Sequence, residues 1–391
     1  MKVHSFDDIL SLVPRCSKDA IPWDDFARLG FASLFEKMEA TEQNPTYHAE
    51  GNVFLHTKMV AQALICLPEY AALTKEEQNV LFLAAMLHDA GKTFCTTIKD
   101  GEIASPYHSV KGGVWVRGWL WKQFDLAGAK EKRSLRESIS LLVKHHSFPP
   151  FAHNHRDGER RILAIAENAR LTKPFSIHLL YLLSKADVMG RISSSREEHL
   201  EQIECFKMMA EDLGCLYEPY AFASDFSKRA YFKRQSNFPG DSLYDSCWGE
   251  IVMLAGLPGS GKDTYAKKQF PHLEMISLDD IRQRMGVLPT ENQSVVAAEF
   301  QKTAKERLRQ KKAFLFNATN LSADLRKKQI DLFEKYGAKV RLIFIETAWA
   351  EEMARNESRA AEVPRAVIEK MLTKLEIPEA NECEIVVWET T

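Results

Sequence analysis

The chain has 391 residues, of which 45% are hydrophobic and 27% are charged, and its formal net charge at pH 7 is −2. This length predicts two domains, and the near-neutral charge excludes a nucleic-acid binder that depends on global positive charge. Seven cysteines without a C-x-x-C pair argue against a disulfide framework, and no run approaches the ~18 apolar residues of a membrane span, so we expect a cytoplasmic protein with no membrane partner.

The first half of the chain, residues 23–213, has a mostly helical pattern. In the segment KEEQNVLFLAAMLHDAGK, Val80 and Leu87 lie close to one stripe of a helix together with His88. Gly91 is a natural place for this helix to end. We therefore predict an all-α domain over residues 1–215.

The helical half also carries an ordered series of histidines and aspartates. A single buried histidine is usually a hydrogen-bonded core residue, but a series across one domain points to a metal site. Imidazoles and carboxylates together suit Mn²⁺, Fe²⁺, Co²⁺, Ni²⁺ or Zn²⁺, and one or two such ions can act on a phosphoester. The series consists of His56, His88, Asp89, His108, His145, His146 and Asp187.

This series resembles the HD-domain phosphohydrolase superfamily, and the segment NPTYHAEGNVFLHT is similar to the HD domains of bacterial tRNA nucleotidyltransferases. The resemblance implies a first metal bound by His56, His88, Asp89 and Asp187. It implies a second bound by His108, His145 and in some arrangements His146, with Asp89 shared, and the sequence leaves the choice between His145 and His146 open. It also implies that Lys92, with Arg191 as a second candidate, faces the substrate phosphate. His48 is either an outer-shell or substrate group or a structural residue.

The pattern changes in the second half of the chain. Residues 216–248 form an aromatic-rich segment, which we expect to be a connector packed at the domain junction. From residue 249 onwards, short apolar runs alternate with charged amphipathic helices. This alternation predicts an α/β domain with a parallel sheet over residues 249–391. The five predicted strands are EIVMLAG, LEMISL, AFLFNAT, KVRLIFIE and CEIVVWE.

The stretch MLAGLPGSGKDTYAKK, which follows the first of these strands, is close to a P-loop. Its glycines allow backbone N–H groups to converge on phosphates, and Lys262 adds a charge toward the β and γ oxygens of ATP. Asp263 stands where Ser or Thr is usual. Because a carboxylate repels phosphate, we infer that Asp263 contacts the Mg²⁺ of ATP and that Thr264 serves a phosphate. The predicted ATP-binding residues are Gly256, Gly259, Ser260, Gly261, Lys262, Asp263, Thr264 and Arg359.

Three further motifs follow the P-loop. Asp279 and Arg282 are three residues apart, which suits a base beside a phosphate-binding guanidinium but also a surface ion pair. Arg355 and Arg359 are four residues apart, as in a lid over ATP phosphates, or as solvated charges paired with Glu351 or Glu352. The third motif follows the third strand and contains Asn317, Thr319 and Asn320.

The order of these motifs resembles the phage-type polynucleotide 5′-kinase family over residues 249–391. That family shows a P-loop, D-D-x-R, T-N-L-N, R-N-x-x-R and V-P, which here are the P-loop, D-D-I-R, T-N-L-S, R-N-E-S-R and V-P. The resemblance implies that Asp279 is the general base on a 5′-hydroxyl and that Arg282 holds the adjacent nucleotide phosphate. It also implies that Arg359, assisted by Arg355, binds ATP phosphates and that Lys262 stabilises the transferring γ-phosphoryl group.

The complete architecture resembles the bacterial HD-Pnk end-healing enzymes. The resemblance implies phosphorylation of 5′-hydroxyl ends of RNA or DNA with ATP and Mg²⁺, and metal-dependent hydrolysis of 2′,3′-cyclic, 2′- or 3′-phosphate ends. An RNA ligase is a candidate downstream partner. Two alternatives are an HD nucleotide phosphohydrolase fused to a small-molecule kinase, and a kinase with a non-catalytic RNA-binding HD module. Basic clusters at residues 302–312 and 325–329 either follow a phosphate backbone or are solvated helix faces.

Overall fold

The computed structural model describes residues 5–288, 291–359 and 362–391. Its contacts divide the chain into two units, one made of Met1–Leu126 and Glu131–Tyr220 and the other of Ala127–Lys130 and Ala221–Thr391. Most of the predicted connector therefore belongs to the second unit. Within the described part of the chain, no helix combines the length and apolar character that a membrane span requires.

The first unit is built almost entirely of helices, as the sequence pattern predicts. They are α1 (Phe6–Ser11), α2 (Trp23–Phe26), α3 (Ala32–Glu39), α4 (Val53–Ile65), α5 (Pro68–Ala71), α6 (Lys75–Leu87), α7 (Lys92–Cys95), α8 (His108–Phe124), α9 (Lys130–His145), α10 (Gly158–Ala166), α11 (Ile177–Met189) and α12 (Arg196–Asp212). A hairpin of β1 (Thr97–Lys99) and β2 (Glu102–Ala104) joins α7 to α8.

Helices α4, α6 and α11 pack against one another and form the centre of this unit. Each begins at a side-chain cap, which is supplied by Asn52, Thr74 and Ser176 respectively. All residues of α6 from Gln78 to Leu87 are buried, as expected of a helix surrounded by others. Helix α6 ends at Leu87, earlier than the glycine stop predicted at Gly91. The three central helices deliver His56, His88 and Asp187 to one region.

The second unit contains a five-stranded parallel sheet, which confirms the predicted α/β class of the C-terminal domain. Its strands are β3 (Glu250–Ala255), β4 (Glu274–Ser277), β5 (Phe314–Asn317), β6 (Lys339–Glu346) and β7 (Ile385–Thr390), in the spatial order β4-β5-β3-β6-β7. All four pairings are parallel. The carboxyl ends of the strands therefore meet at one edge, where ligands bind in open α/β sheets.

Helices cover this sheet and bury its apolar residues. They are α14 (Lys262–Gln269), α15 (Leu278–Met285), α16 (Ser294–Arg309), α17 (Ala323–Lys335), α18 (Trp349–Glu357) and α19 (Arg365–Leu372). One core cluster joins Val252 and Leu254 of β3 to Leu315 of β5 and Ile343 of β6. Because the central strands are buried on both faces, their sequences are continuous apolar runs rather than alternating ones.

The aromatic-rich segment is attached to the α/β domain. It contains α13 (Asp225–Phe232), in which Arg229 donates to Glu334 of α17 through Nε at 2.6 Å. Lys233 pairs with the same carboxylate. Further along, Trp248 Nε1 donates to the carbonyl of Tyr336 at 2.8 Å. These contacts connect the segment to the C-terminal end of α17 and to the turn that precedes β6.

Candidate active sites

In the first unit, a His–Asp cluster forms around the carboxylate of Asp89. Asp89 Oδ2 lies 3.2 Å from His88 Nε2 and 3.7 Å from His56 Nε2. Asp89 Oδ1 lies 3.3 Å from His108 Nε2 and 3.7 Å from His146 Nε2. Each carboxylate oxygen of Asp89 thus faces a different pair of histidines. A carboxylate shared between two ions requires this arrangement.

Asp187 completes the first of these two groups. Its Oδ1 lies 3.0 Å from His56 Nε2 and 3.8 Å from His88 Nε2. The carboxylate also receives Arg191, whose Nη2 is 2.5 Å from Oδ2. Burial alone would raise the pKa of Asp187, but Arg191 and His56 outweigh it and hold the pKa well below its usual range. Arg191 therefore orients a candidate ligand, and its predicted contact with the substrate phosphate stays a prediction.

Three of the histidine rings are oriented by the same type of hydrogen bond. The Nδ1 atoms of His88, His108 and His146 lie 2.8, 2.9 and 2.8 Å from the backbone carbonyls of residues 85, 105 and 143, three residues earlier in each case. Donation from Nδ1 leaves the lone pair on Nε2, which points toward Asp89 in each ring. The tautomer of each ring is assigned from this geometry.

The neighbouring histidines of the HH pair have different positions. His146 places its Nε2 in the cluster, 3.7 Å from Asp89 Oδ1, whereas His145 is the last residue of α9. Burial lowers the pKa of His146 to about 3, so this ring is neutral at physiological pH and its Nε2 lone pair is available. The geometry thus favours His146 as the ligand candidate.

Glu50 is a residue of this site that the sequence analysis missed. Its Oε1 lies 2.8 Å from His56 Nδ1 and 2.8 Å from His48 Nδ1, and its Oε2 accepts from the backbone N–H of Ile192 at 2.9 Å. Burial would raise the pKa of Glu50, but the hydrogen bonds with the two histidines outweigh it and lower the pKa. A buried carboxylate behind a ligand histidine fixes the ring and strengthens its basicity.

Lys92 connects the cluster with a neighbouring groove. Its Nζ lies 2.8 Å from Asp89 Oδ2 and donates to Gln43 Oε1 at 2.6 Å. His48 Nε2 is 3.4 Å from the same ammonium, and burial lowers the pKa of His48 to about 4. The groove is open to solvent, has a volume of about 350 Å³ and is lined by Lys92 together with residues of the β1–β2 hairpin such as Ile98. A phosphoester entering from this side would meet Lys92.

The donor set fits a divalent transition metal. The Nε2 of His88 and both carboxylate oxygens of Asp89 are buried and make no hydrogen bond of ordinary geometry, although the Lys92 ammonium lies 2.8 Å from Asp89 Oδ2. Such atoms are costly unless a cation satisfies them. Ligand atoms of His56, His88 and Asp187 lie within 4.8 Å of one another, as do those of His88, Asp89 and His146.

In the second unit, the phosphate loop lies between β3 and α14. Gly256 and Gly259 have φ values of 148° and 89°, and a Cβ at either would lie within 2.3 and 2.5 Å of a backbone carbonyl oxygen of Ile345 or Glu352. Glycine is therefore required at both positions. Ser260 is buried beneath the loop, whereas Asp263 and Thr264 are exposed in the first turn of α14.

Lys262 begins α14 and turns its side chain back over the loop. Its Nζ donates to the carbonyls of Gly256 and Leu257 at 3.0 and 2.7 Å. Burial lowers the pKa of Lys262 to about 8. The charges of Asp263, Glu352 and Asp279 oppose this shift and that of Arg359 adds to it, so these groups lie within electrostatic range of the ammonium.

The other predicted residues lie at the same edge of the sheet. Asn317 ends β5 and donates to Asp263, and Asn320 donates from its buried amide to the carbonyl of Leu254 at 2.6 Å. Thr319 accepts through its carbonyl from the N–H of Gly256 at 3.0 Å. The T-N-L-S motif therefore braces the first glycine of the phosphate loop.

Asp279 and Arg282 form the ion pair that their spacing allows. Arg282 Nη1 contacts Asp279 Oδ1, and Arg282 Nε donates to Gln293 Oε1 at 2.8 Å. The Asp279 side chain is 70% exposed, so a substrate hydroxyl has access to it. Ser277, at the end of β4, accepts from the N–H of Asp279 and caps α15.

The two lid arginines have different surroundings. Arg355 pairs with Glu351, as one of our alternatives predicts, and also donates to Thr391 Oγ1 at 2.8 Å. Thr391 in turn donates to the Ser260 carbonyl at 2.9 Å, which connects Arg355 with the phosphate loop. Arg359 lies two residues beyond α18 and is partly exposed.

Asn356, the asparagine of the R-N-E-S-R motif, has a structural role that the sequence analysis did not predict. It is buried, its Nδ2 donates to the Val363 carbonyl at 2.7 Å, and its Oδ1 accepts from the Val363 N–H at 3.1 Å. This pair of bonds holds the two ends of the R-N-x-x-R to V-P segment together. It explains why an asparagine occurs at that place in the motif.

The two basic clusters are partly neutralised within the fold. Arg307 pairs with Glu274 through two bonds of 2.7 and 2.6 Å. Arg326 is fully buried and pairs with Glu382 at 2.7 Å. These two arginines are engaged in ion pairs within the domain. Fewer side chains of the two basic clusters are therefore available to bind a phosphate backbone than the sequence suggests.

Comparison with known proteins agrees with this description of the second unit. Residues 251–378 match the family model of the AAA domain. Together with the phosphate loop and the parallel sheet, this match identifies a P-loop, kinase-like α/β domain. The solved structure of a gluconokinase from Sinorhizobium meliloti 1021 is similar with 16% identity and a TM-score of 0.28, over 36% of this chain and 82% of that chain.

A curated relative is the bifunctional polynucleotide phosphatase/kinase of Schizosaccharomyces pombe. It is 27% identical to this chain over 188 residues, which is 47% of this chain and 43% of that protein. The chain thus matches less than half the length of this relative.

Proposed function

We propose that the chain is a bifunctional end-healing enzyme that phosphorylates 5′-hydroxyl ends and hydrolyses 2′,3′-cyclic, 2′- or 3′-phosphate ends of a polynucleotide. The observation that carries the proposal is that one unit contains a phosphate loop and the other contains a buried His–Asp cluster whose donor atoms suit a divalent metal. The distant relative is named as a polynucleotide phosphatase/kinase, which supports the same pair of activities.

The kinase activity is supported by the groups around the phosphate loop. Lys262 and Arg359 supply positive charge for the phosphates of ATP, because both lie at the carboxyl edge of the sheet. Asp279 is exposed at the same edge and serves as general base, accepting the proton of the 5′-hydroxyl. Arg282 then binds the phosphate of the neighbouring nucleotide, and its ion pair with Asp279 is weakened when it does so.

Phosphoester hydrolysis is supported by the His–Asp cluster. A divalent ion held by His56, His88, Asp89 and Asp187, or a second held by His108, His146 and Asp89, would lower the pKa of a bound water and stabilise the oxygens around phosphorus. Lys92, 2.8 Å from Asp89, binds a nonbridging oxygen of the substrate. Glu50 and Arg191 hold the ligands in place.

One substrate tests both activities. An RNA oligonucleotide with a 5′-hydroxyl and a 2′,3′-cyclic phosphate is incubated with ATP, Mg²⁺ and Mn²⁺, and both ends are analysed. Asp279→Asn should lose 5′-phosphorylation and retain end hydrolysis, and Asp89→Asn should show the reverse. These variants are matched controls for each other, since each keeps the side-chain shape of the carboxylate it replaces.

The alternatives give different results in the same experiment. Phosphorylation of free nucleosides or small alcohols instead of the oligonucleotide would favour a small-molecule kinase. Equal release of phosphate by the wild type and Asp89→Asn would favour a non-catalytic RNA-binding module. Loss of both activities in either variant would contradict the assignment of one reaction to each unit.

A further inference from the structure

Three partly exposed aromatic side chains form a row along the first unit, which we call the aromatic row. Its members are Phe94, Trp115 and Trp119. The ring centroids of Phe94 and Trp115 are 6.1 Å apart, and those of Trp115 and Trp119 are 5.6 Å apart with an interplanar angle of 11°. Phe94 is 49% exposed, and both tryptophans are partly exposed.

The aromatic row begins beside the His–Asp cluster. Phe94 is two residues from Lys92, and α8, which carries both tryptophans, begins at His108. A Cβ at Gly91 would lie 2.1 Å from the His108 carbonyl oxygen, so α7 and the start of α8 are in direct contact. With a rise of about 1.5 Å per residue, Trp115 is about 10 Å and Trp119 about 16 Å along the helix from His108.

Core packing explains only one end of the row. Trp119 contacts Phe31 and Phe124 edge-on, with both centroid distances at 5.0 Å, and is therefore part of the core. Among the described residues, the ring of Phe94 stacks with no aromatic ring other than Trp115. A single exposed phenylalanine would be ordinary, but Phe94 continues into a pair of partly exposed tryptophan rings beside the His–Asp cluster.

The charge around the row is complementary to a phosphate backbone. Lys111 is exposed and precedes Trp115 by four residues, so both lie on one face of α8. Lys92 is buried beside Asp89 at the same end of the row, where the terminal phosphate would lie. Tyr107, directly before His108, is 75% exposed and has a φ of 59°, which aims a further ring outward at the rim of the site.

We propose that the aromatic row stacks the bases of a single strand whose terminal phosphate lies at the His–Asp cluster. Aromatic side chains bind successive bases without sequence preference, because every base has a π-face, and nearby cations follow the backbone. The proposal rests on the proposed phosphoesterase activity and deepens it. It adds the surface by which the first unit binds the nucleotides that precede the terminal phosphate.

The test compares substrates of increasing length. KM is measured for a 2′,3′-cyclic mononucleotide and for a hexanucleotide with the same end. The wild type should have a lower KM for the hexanucleotide. Phe94→Ala should raise that KM about 5- to 20-fold, near the lower end of measured base-stacking effects, because the ring is only half exposed. The KM for the mononucleotide should change much less.

Two further variants exclude a structural explanation. Phe94→Tyr retains a stacking ring and should restore the low KM for the hexanucleotide. Tyr244→Ala removes a ring that is 88% exposed in the second unit and should change neither KM. If the wild type binds the two substrates equally, or if Phe94→Ala raises both KM values alike, the proposal is wrong.

A binding measurement separates this proposal from the phosphoesterase assignment. Fluorescence anisotropy is recorded with a labelled single-stranded hexanucleotide in the Asp89→Asn background, in which no hydrolysis is expected. Weaker binding by Phe94→Ala than by Phe94→Tyr would support the aromatic row even if the wild type hydrolyses neither substrate. Equal binding by all variants would show that the row serves another partner, such as a second protein, and would overturn the proposal.

Discussion

Asn317, the last residue of β5, donates its side-chain Nδ2 to Asp263 Oδ1 at a distance of 2.5 Å. The bond crosses from one strand end to the first turn of α14 and holds a carboxylate at the phosphate loop. No other described residue forms a hydrogen bond with this carboxylate. The second oxygen is therefore available for a cation, which agrees with the proposed contact between Asp263 and the Mg²⁺ of ATP.

We expect Asp263→Ala to reduce the Mg²⁺ dependence of ATP binding. Without the metal, the variant should bind ATP at least about tenfold more tightly than the wild type, because the repulsion between carboxylate and phosphate is removed. With Mg²⁺ its affinity should fall. Isothermal titration calorimetry with and without Mg²⁺ measures both values, and Asn317→Ala, which keeps the carboxylate and its repulsion, should not tighten ATP binding without the metal. An unchanged Mg²⁺ dependence in Asp263→Ala would exclude the contact.

The two adjacent histidines should differ in their effect on metal content. His146→Ala should lower the amount of Mn²⁺ or Co²⁺ retained after dialysis, since its Nε2 is 3.7 Å from Asp89 Oδ1. His145→Ala should retain more metal, because the ligand atoms that lie within 4.8 Å of one another in this part of the cluster are those of His88, Asp89 and His146. Elemental analysis of the purified proteins gives the comparison. The opposite order would assign the second site to His145.

Glu50→Gln should weaken metal binding without removing a ligand. The carboxylate lies 2.8 Å from His56 Nδ1, and loss of such an outer-shell partner lowers metal affinity by about 10- to 100-fold. Metal titration followed by thermal unfolding measures the change, since bound metal stabilises the folded state. Glu39→Gln, at the exposed end of α3, is the matched control and should bind metal as the wild type does.

Lys262 should make ATP binding dependent on pH. Its pKa is about 8, and the negative charge of a bound triphosphate raises it, so binding takes up a proton where Lys262 is neutral beforehand. The uptake should be small at pH 6 and reach about half a proton at pH 8, where half of the lysines are neutral. Above pH 8 the uptake should increase further, and it should fall again as the pH passes the raised pKa of the bound state. Calorimetry in buffers of different ionisation enthalpy measures it.

Lys262→Arg provides the control for this experiment. A guanidinium stays protonated over the whole pH range, so the variant should lack the uptake that belongs to Lys262. When the proton uptake of Lys262→Arg is subtracted from that of the wild type, the contribution from the titration of ATP itself cancels. If the wild type and Lys262→Arg take up protons equally, Lys262 is not the group that titrates.

The α/β domain follows from the sequence because each of its strands is a short apolar run between turn residues. The positions of the phosphate loop, Asp279 and Asn317 then follow from the rule that parallel strands present their carboxyl ends at one edge. The ion pair between Asp279 and Arg282 also follows from a spacing of three residues in a helix. These are local relationships, and sequence patterns report local relationships well.

The outer contacts of the first unit do not follow from any local pattern. Glu50 reaches Ile192, which is 142 residues away, and Gln43 reaches Lys92 across 49 residues. The position of Glu50 between His48 and His56 indicated that it lies near the cluster. The sequence pattern does not predict the direction of its side chain. The distinction between His145 and His146 likewise depends on where α9 ends.

Gly91 binds nothing in either proposed reaction, yet the His–Asp cluster depends on it. The addition of one methyl group there would place an atom 2.1 Å from the carbonyl of His108. Helix α8 would then have to move away, and His108 and the row of rings that follows it would move with it. A substitution of Gly91 by alanine should therefore be as damaging to the His–Asp cluster as the loss of a metal ligand, although every imidazole and carboxylate is still present.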